Sequence, residues 1–200
     1  RQNSIETNDT ELQTQWNLKQ WAVMQEAEEA YEWAIENGYA DADRVCIVGA
    51  SYGGYATMAG LTFTPDLYRC GINAIGVTDQ IQILENFANR ASIRQSWDEE
   101  PLLEWGDIST EEGKAYALSS SPVNFVKNIQ APVLVLQGSN DRTVEPRHAE
   151  DLIDKLKSLD KEYMAMFQAK AGHCVTGCQE RAALEYLEIQ EEFIDKYLKN

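Results

Sequence analysis

Three residues have the types and order needed for nucleophilic chemistry: Ser51, Asp141 and His173. Ser51 stands in Gly49-Ala50-Ser51-Tyr52-Gly53, a G-x-S-x-G pattern. The apolar run Val45-Cys46-Ile47-Val48 precedes it, and an Ala/Met/Leu-rich run follows to Leu61. That context predicts a strand, a sharp turn and a helix, a nucleophile elbow that presents the hydroxyl in a strained backbone conformation. Side chains two residues before and two after are expected to collide, which accounts for small residues on both flanks. The start of the helix offers backbone N–H groups to a developing oxyanion. A serine hydroxyl is a weak nucleophile until a base takes its proton, and the base needs an orienting carboxylate. The chain has two histidines, and both follow the elbow. His148, in Glu145-Pro146-Arg147-His148-Ala149-Glu150, sits among charges on an expected helix and reads as a surface residue. His173, in the small-residue loop Ala171-Gly172-His173, follows the last expected strand. Asp141 also follows a strand end and a glycine. Asp79 follows a strand end too early in the order and reads as a turn or pocket residue, while Glu145 and Asp151 read as solvated.

The elements that must hold these residues alternate between helix and strand. Residues Arg1 to Trp16 are polar and read as loop. Met24, Ala27, Tyr31, Ala34 and Ile35 recur at helical spacing from Leu18 to Ile35, and Asn37-Gly38 ends that helix. Glu26, Glu28, Glu29 and Glu32 form its solvated side, and Trp21, Tyr31 and Trp33 are assigned to core packing. Strands are expected at Val45–Val48, Cys70–Val77, Val133–Leu136 and Tyr163–Phe167. Helices are expected from Pro146 to Leu159 and from Arg181 to Leu198. A continuous apolar strand such as Val133–Leu136 belongs inside a parallel sheet. The alternation predicts a three-layer αβα architecture with a mostly parallel sheet. Residues 78–120, with Trp97, Pro101 and Trp105, lack a strand pattern and read as a helical excursion.

Two hundred residues suit one domain, and the net charge of −16 with no Lys/Arg cluster argues against nucleic acid or an anionic membrane as partner. No apolar run approaches the ~20 residues of a membrane span. Cys46 and Cys70 read as small buried hydrophobes. Cys174 and Cys178 could bridge in an oxidising compartment, or with His173 offer soft ligands, but C-x-x-x-C lacks a fourth ligand, so free thiols and no metal or other cofactor are expected.

The local match is closer than the bare motif. Ser51-Tyr52-Gly53-Gly54-Tyr55, followed by Leu61-Thr62-Phe63-Thr64-Pro65-Asp66-Leu67-Tyr68, resembles the prolyl oligopeptidase family of serine peptidases, which have the α/β-hydrolase fold. Tyr31 to Asp41 resembles the helix and turn before that family's elbow. Gly138-Ser139-Asn140-Asp141-Arg142-Thr143-Val144 resembles its acid loop, and Ala171-Gly172-His173 its base loop. The resemblance implies a Ser51–Asp141–His173 triad, the Tyr52 N–H as an oxyanion donor, and Val77 and Val144 at the apolar substrate pocket. It implies cleavage of short peptides through an acyl-enzyme, with the 78–120 excursion near the active site as the element that sets specificity.

Two departures bear on that expectation. Cys174-Val175 follows the histidine where the family has Gly and an aromatic residue. The family's H-G-G stretch, its second oxyanion donor (a tyrosine) and its β-propeller all lie upstream of what this chain contains. The chain therefore reads as an N-terminally incomplete catalytic domain lacking the first strands of the sheet. Arg1 to Trp16 is too polar for a buried strand, so an open Val45–Val48 edge and a homo-oligomer built on it are expected. A carboxylesterase with the same triad, and a catalytically weak interaction module, are the alternative functions.

Overall fold

Four short runs rich in apolar residues form one parallel sheet. A computed structural model describes residues 25–89, 106–174 and 180–199. The strands are β1 (Cys46–Ala50), β2 (Cys70–Ala74), β3 (Val133–Gly138) and β4 (Tyr163–Gln168), in the spatial order β1-β2-β3-β4. All neighbours are parallel, with Val48 opposite Ile72, Ile72 opposite Leu134 and Leu134 opposite Met164. Strands β2 and β3 are buried at every position. Among the described residues β1 pairs only with β2, and Val48 is 54% exposed. The expectation of a strand to Val77 is corrected: β2 stops at Ala74, because Ile75 has φ 45°. A β-branched residue in the left-handed region cannot continue a pleated strand. Its N–H still donates to Leu136 O at 2.7 Å.

Among the described residues the helices are α1 (25–36), α2 (Tyr52–Phe63), α3 (Gln80–Asn89), α4 (Glu111–Ser120), α5 (Arg147–Ser158) and α6 (Glu180–Leu198). The chain divides into two compact units, one of residues up to Tyr39 with Asp79–Ser121, the other of Ala40–Thr78 with Pro122–Asn200. The first holds α1, α3 and α4. Helix α1 ends at Gly38, with φ 73°, where Gly38 N–H donates to Ile35 O and Tyr39 N–H to Ala34 O. Asp79 caps α3, its Oδ1 accepting from Ile81 N–H at 2.8 Å and Gln82 N–H at 3.2 Å. Thr110 caps α4 through Oγ1 to Gly113 N–H. The assignment of Trp33 to the core is corrected: it is 57% exposed and stacks on Tyr39, ring centroids 5.1 Å apart. The turn after α1 returns Tyr39 onto Trp33, so the indole finds its apolar partner locally. Trp21, Trp97, Pro101, Trp105 and the Arg1–Trp16 segment lie outside the described residues.

The second unit carries the sheet and its two covering layers. Helix α2 packs on β1 and β2 at short range: a Cβ at Gly60 would lie 2.9 Å from Ile47 Cδ1, and one at Gly71 2.4 Å from Leu61 Cδ1. The Pro122–Asn128 3-10 segment joins α2 and α5. On the opposite face, Tyr186 and Phe193 of α6 bury against Cys70, Ile72, Ala74, Leu134 and Leu136. Each large side chain removed from water contributes roughly 1.5–3 kcal/mol. Every βα crossover returns the chain to the same end of the sheet, so the C-terminal ends of β1, β3 and β4 lie on one rim.

The reading of Cys46 and Cys70 as independent hydrophobes is also corrected. They form a disulfide, their Cα atoms 4.6 Å apart. The two residues are register partners on adjacent parallel strands, which places their side chains on one face of the sheet. Cys174 is likewise disulfide-bonded rather than a free thiol. Cys178 lies outside the described residues. No helix among the described residues is long and apolar enough to cross a membrane.

Candidate active site

Three loops leave the C-terminal ends of β1, β3 and β4 and meet. The first is the elbow. Ser51 has φ 56° and ψ −118°, a conformation that costs an L-residue strain, and it forms the N-cap of α2. Its N–H donates to Ala74 O at 3.0 Å, which ties the elbow to β2, and its carbonyl accepts from Tyr55 N–H at 3.1 Å. The turn is so tight that a Cβ at Gly49 would lie 2.1 Å from Gly53 O. The expected collision is one-sided: a Cβ at Gly53 would meet no heavy atom within 4 Å. The clash runs from Gly49 into the backbone of Gly53, not the reverse.

The second loop follows β3 and carries Asp141, which is buried. Its Oδ1 accepts from Thr143 N–H at 2.8 Å and Val144 N–H at 3.0 Å. That leaves Oδ2 facing outward from the loop. The third loop follows β4 and carries His173. The acid and base loops lean on each other: Asn140 N–H donates to Ala171 O at 2.8 Å, and Ser139 N–H to Gln168 O at 3.0 Å. Their approach needs a glycine, since a Cβ at Gly138 would sit 2.4 Å from Gly172 O.

The side chains converge in a hydrogen-bonded line. His173 Nδ1 is 2.7 Å from Asp141 Oδ2, and His173 Nε2 is 2.8 Å from Ser51 Oγ. Because a carboxylate only accepts, Nδ1 carries the proton and donates to Asp141, which leaves Nε2 to accept from the Ser51 hydroxyl. The Asp141 side chain is fully buried and that of His173 is 26% exposed, so the line runs from the interior to the surface. The buried carboxylate also acts on Tyr186: burial first, then the Asp141 charge, push that phenol up to about 12.

Other candidates fall elsewhere. His148 is corrected from surface to core, being 1% exposed on α5. Burial, then the Arg147 charge, lower it to about 4, so it is a neutral imidazole at pH 7. Thr78 Oγ1 donates to His148 O at 2.9 Å, and Thr78 N–H approaches His148 Nδ1 at 3.4 Å. Val77 and Val144 are both buried. Tyr52 is the first residue of α2, directly after the N-cap serine. Gln137, which sequence reasoning passed over, is fully buried under the acid loop, with Nε2 3.1 Å from Val144 O.

The model of the prolyl oligopeptidase family matches residues 12–200. The chain belongs to the prolyl oligopeptidase family. Curated relatives include "Dipeptidyl aminopeptidase BIII" of Pseudoxanthomonas mexicana, 33% identical over 130 residues, covering 65% of this chain and 18% of that protein. Another is "Dipeptidyl peptidase family member 6" of Caenorhabditis elegans, 30% identical over 151 residues, covering 74% and 20%. The chain thus spans about a fifth of the curated relatives it matches. Among solved structures, a puromycin-hydrolyzing peptidase of Mycobacterium tuberculosis superposes with a TM-score of 0.75 at 25% identity, over 88% of this chain and 25% of that one. An acylaminoacyl peptidase of Pyrococcus horikoshii superposes with a TM-score of 0.70 at 25% identity, over 84% and 26%. The fold is that of the α/β hydrolases.

Proposed function

We propose that this chain carries the catalytic triad of a serine peptidase, with Ser51 as nucleophile, His173 as general base and acid, and Asp141 as the carboxylate that orients His173. The hydrogen-bonded line Asp141 Oδ2–His173–Ser51 Oγ, at 2.7 and 2.8 Å, carries the reading. Ser51 Oγ attacks the carbonyl carbon of a short peptide while its proton passes to His173 Nε2. The Tyr52 N–H, at the helix N-terminus, supports the oxyanion of the tetrahedral intermediate. The C–N bond then breaks, the amine leaves with the proton from His173, and an ester to Ser51 remains. Water, deprotonated by the same Nε2, hydrolyses that ester. Val77 and Val144 form the buried apolar side of the substrate pocket.

A fluorophosphonate probe tests the reading directly. It should attach to Ser51 in the parent chain and not in Ser51→Ala. Parallel hydrolysis of p-nitrophenyl esters and Ala-Pro amides then separates peptidase from esterase. Failure to label folded parent protein would remove the enzyme reading in favour of an interaction module. We also propose association between copies through the edge of β1, where Val48 is exposed and, among the described residues, no strand pairs with β1 on its other side. Light scattering that returns a monomer at high concentration would exclude it.

A further inference from the structure

The acid loop has a support beneath it. Gln137 is the penultimate residue of β3 and is fully buried. Its Nε2 donates to Val144 O at 3.1 Å and approaches Gly138 O at 3.3 Å. Both partners are carbonyls, so the nitrogen rather than the oxygen of the amide must face them. The other half of the amide has no such reward: Oε1 is buried with no hydrogen-bond partner among the described residues. Burying an amide with one group unpaired is costly, and an apolar side chain of the same size would fill the space at less cost. A glutamine here therefore needs a reason specific to its donor.

Geometry supplies the reason. Val144 is held through both of its backbone polar groups. Its carbonyl receives the Gln137 amide, and its N–H is one of the two donors that fix Asp141 Oδ1. The other is the N–H of Thr143. Gln137 thus closes the loop from Gly138 to Val144 across its base, seven residues apart in sequence. We infer that Gln137 is a positioning residue, whose amide fixes Val144 and thereby aims Asp141 Oδ2 at His173. The inference rests on the triad reading above.

The test uses two variants of the whole chain. Gln137→Met keeps the volume and removes the donor. Gln137→Glu keeps the shape and places an acceptor against Val144 O. Folded protein is quantified by circular dichroism. The second-order rate of Ser51 phosphonylation by a fluorophosphonate, and kcat and KM for a p-nitrophenyl ester, are then expressed per labelled site. A net hydrogen bond sets the scale at about tenfold. We expect phosphonylation and kcat per site to fall about tenfold in Gln137→Met and further in Gln137→Glu, with KM unchanged. A purely structural glutamine would reduce the folded fraction and leave the rate per labelled site at the parent value, which overturns the inference. So would both variants failing to fold. If Ser51 in the parent is not labelled, the triad reading fails and takes this inference with it. Labelled parent with unchanged variants removes the role of Gln137 alone.

Discussion

Replacing Asp141 by Asn isolates what the carboxylate does. The side chain accepts three hydrogen bonds: Thr143 and Val144 N–H at Oδ1, and His173 Nδ1–H at Oδ2. In Asp141→Asn the remaining carbonyl oxygen keeps both backbone donors, which are fixed by the loop, so the amide NH₂ is forced to face His173. Two N–H groups cannot share that contact. The imidazole shifts to the tautomer with its proton on Nε2, which now donates to Ser51 Oγ and cannot accept its proton. Folding loses at most one net hydrogen bond, about 1 kcal/mol, and escapes the burial of a charge. Catalysis loses the tautomer, and for a Ser-His-Asp system that costs about 10⁴ in kcat, roughly 5.4 kcal/mol. The assay is ester hydrolysis per labelled Ser51, beside a thermal melt. A melting temperature near the parent with a fall of three to four decades in rate, on the order of that loss, is the expected pair. Activity within about tenfold of the parent would show that Asp141 does not set the tautomer, and the reasoning would fail.

Three further outcomes follow from particular contacts. Gly49→Ala should abolish Ser51 labelling, because the new Cβ would lie 2.1 Å from Gly53 O, whereas Gly53→Ala, facing open space, should fold and label as the control. His148 gives a pH dependence: burial holds it at about 4, below the ordinary value of about 6.5, so the unfolded chain binds the extra proton. Its contribution is full above about pH 6.5 and lost as the pH falls towards 4, by about 3 kcal/mol at most, and urea midpoints for His148→Gln should be flatter across that window. Reducing Cys46–Cys70 opens a loop of sequence separation 24 and should cost about 3–4 kcal/mol, seen as a lower melting temperature in a thiol reductant. Alkylation of both cysteines before any reduction would contradict the bridge.

What the sequence made legible is local. The elbow, the acid loop and the base loop each announce themselves within a few residues, because a reactive side chain at a strand end needs small neighbours and a following turn. Ser51, Asp141 and His173 could therefore be picked out without knowing how the strands pair. The Cys46–Cys70 bridge could not, since it depends on β1 and β2 being neighbours in a register that sets those two residues opposite each other. His148 was obscured by Arg147 and Glu150, yet a signal was present: His148, Leu152 and Leu156 recur every four residues and form the buried stripe of α5. Trp33 erred the other way, since helical spacing marks a face but not whether anything covers it. Gln137 shows why one polar residue in an apolar strand is informative. Every position of β3 is buried, so solvation cannot explain a glutamine there, and the partner that does explain it lies seven residues downstream in the loop that holds Asp141. The three residues of the proposed triad are each read from their own neighbours, whereas the proposed support for the aim of Asp141 is a buried amide that touches only backbone carbonyls.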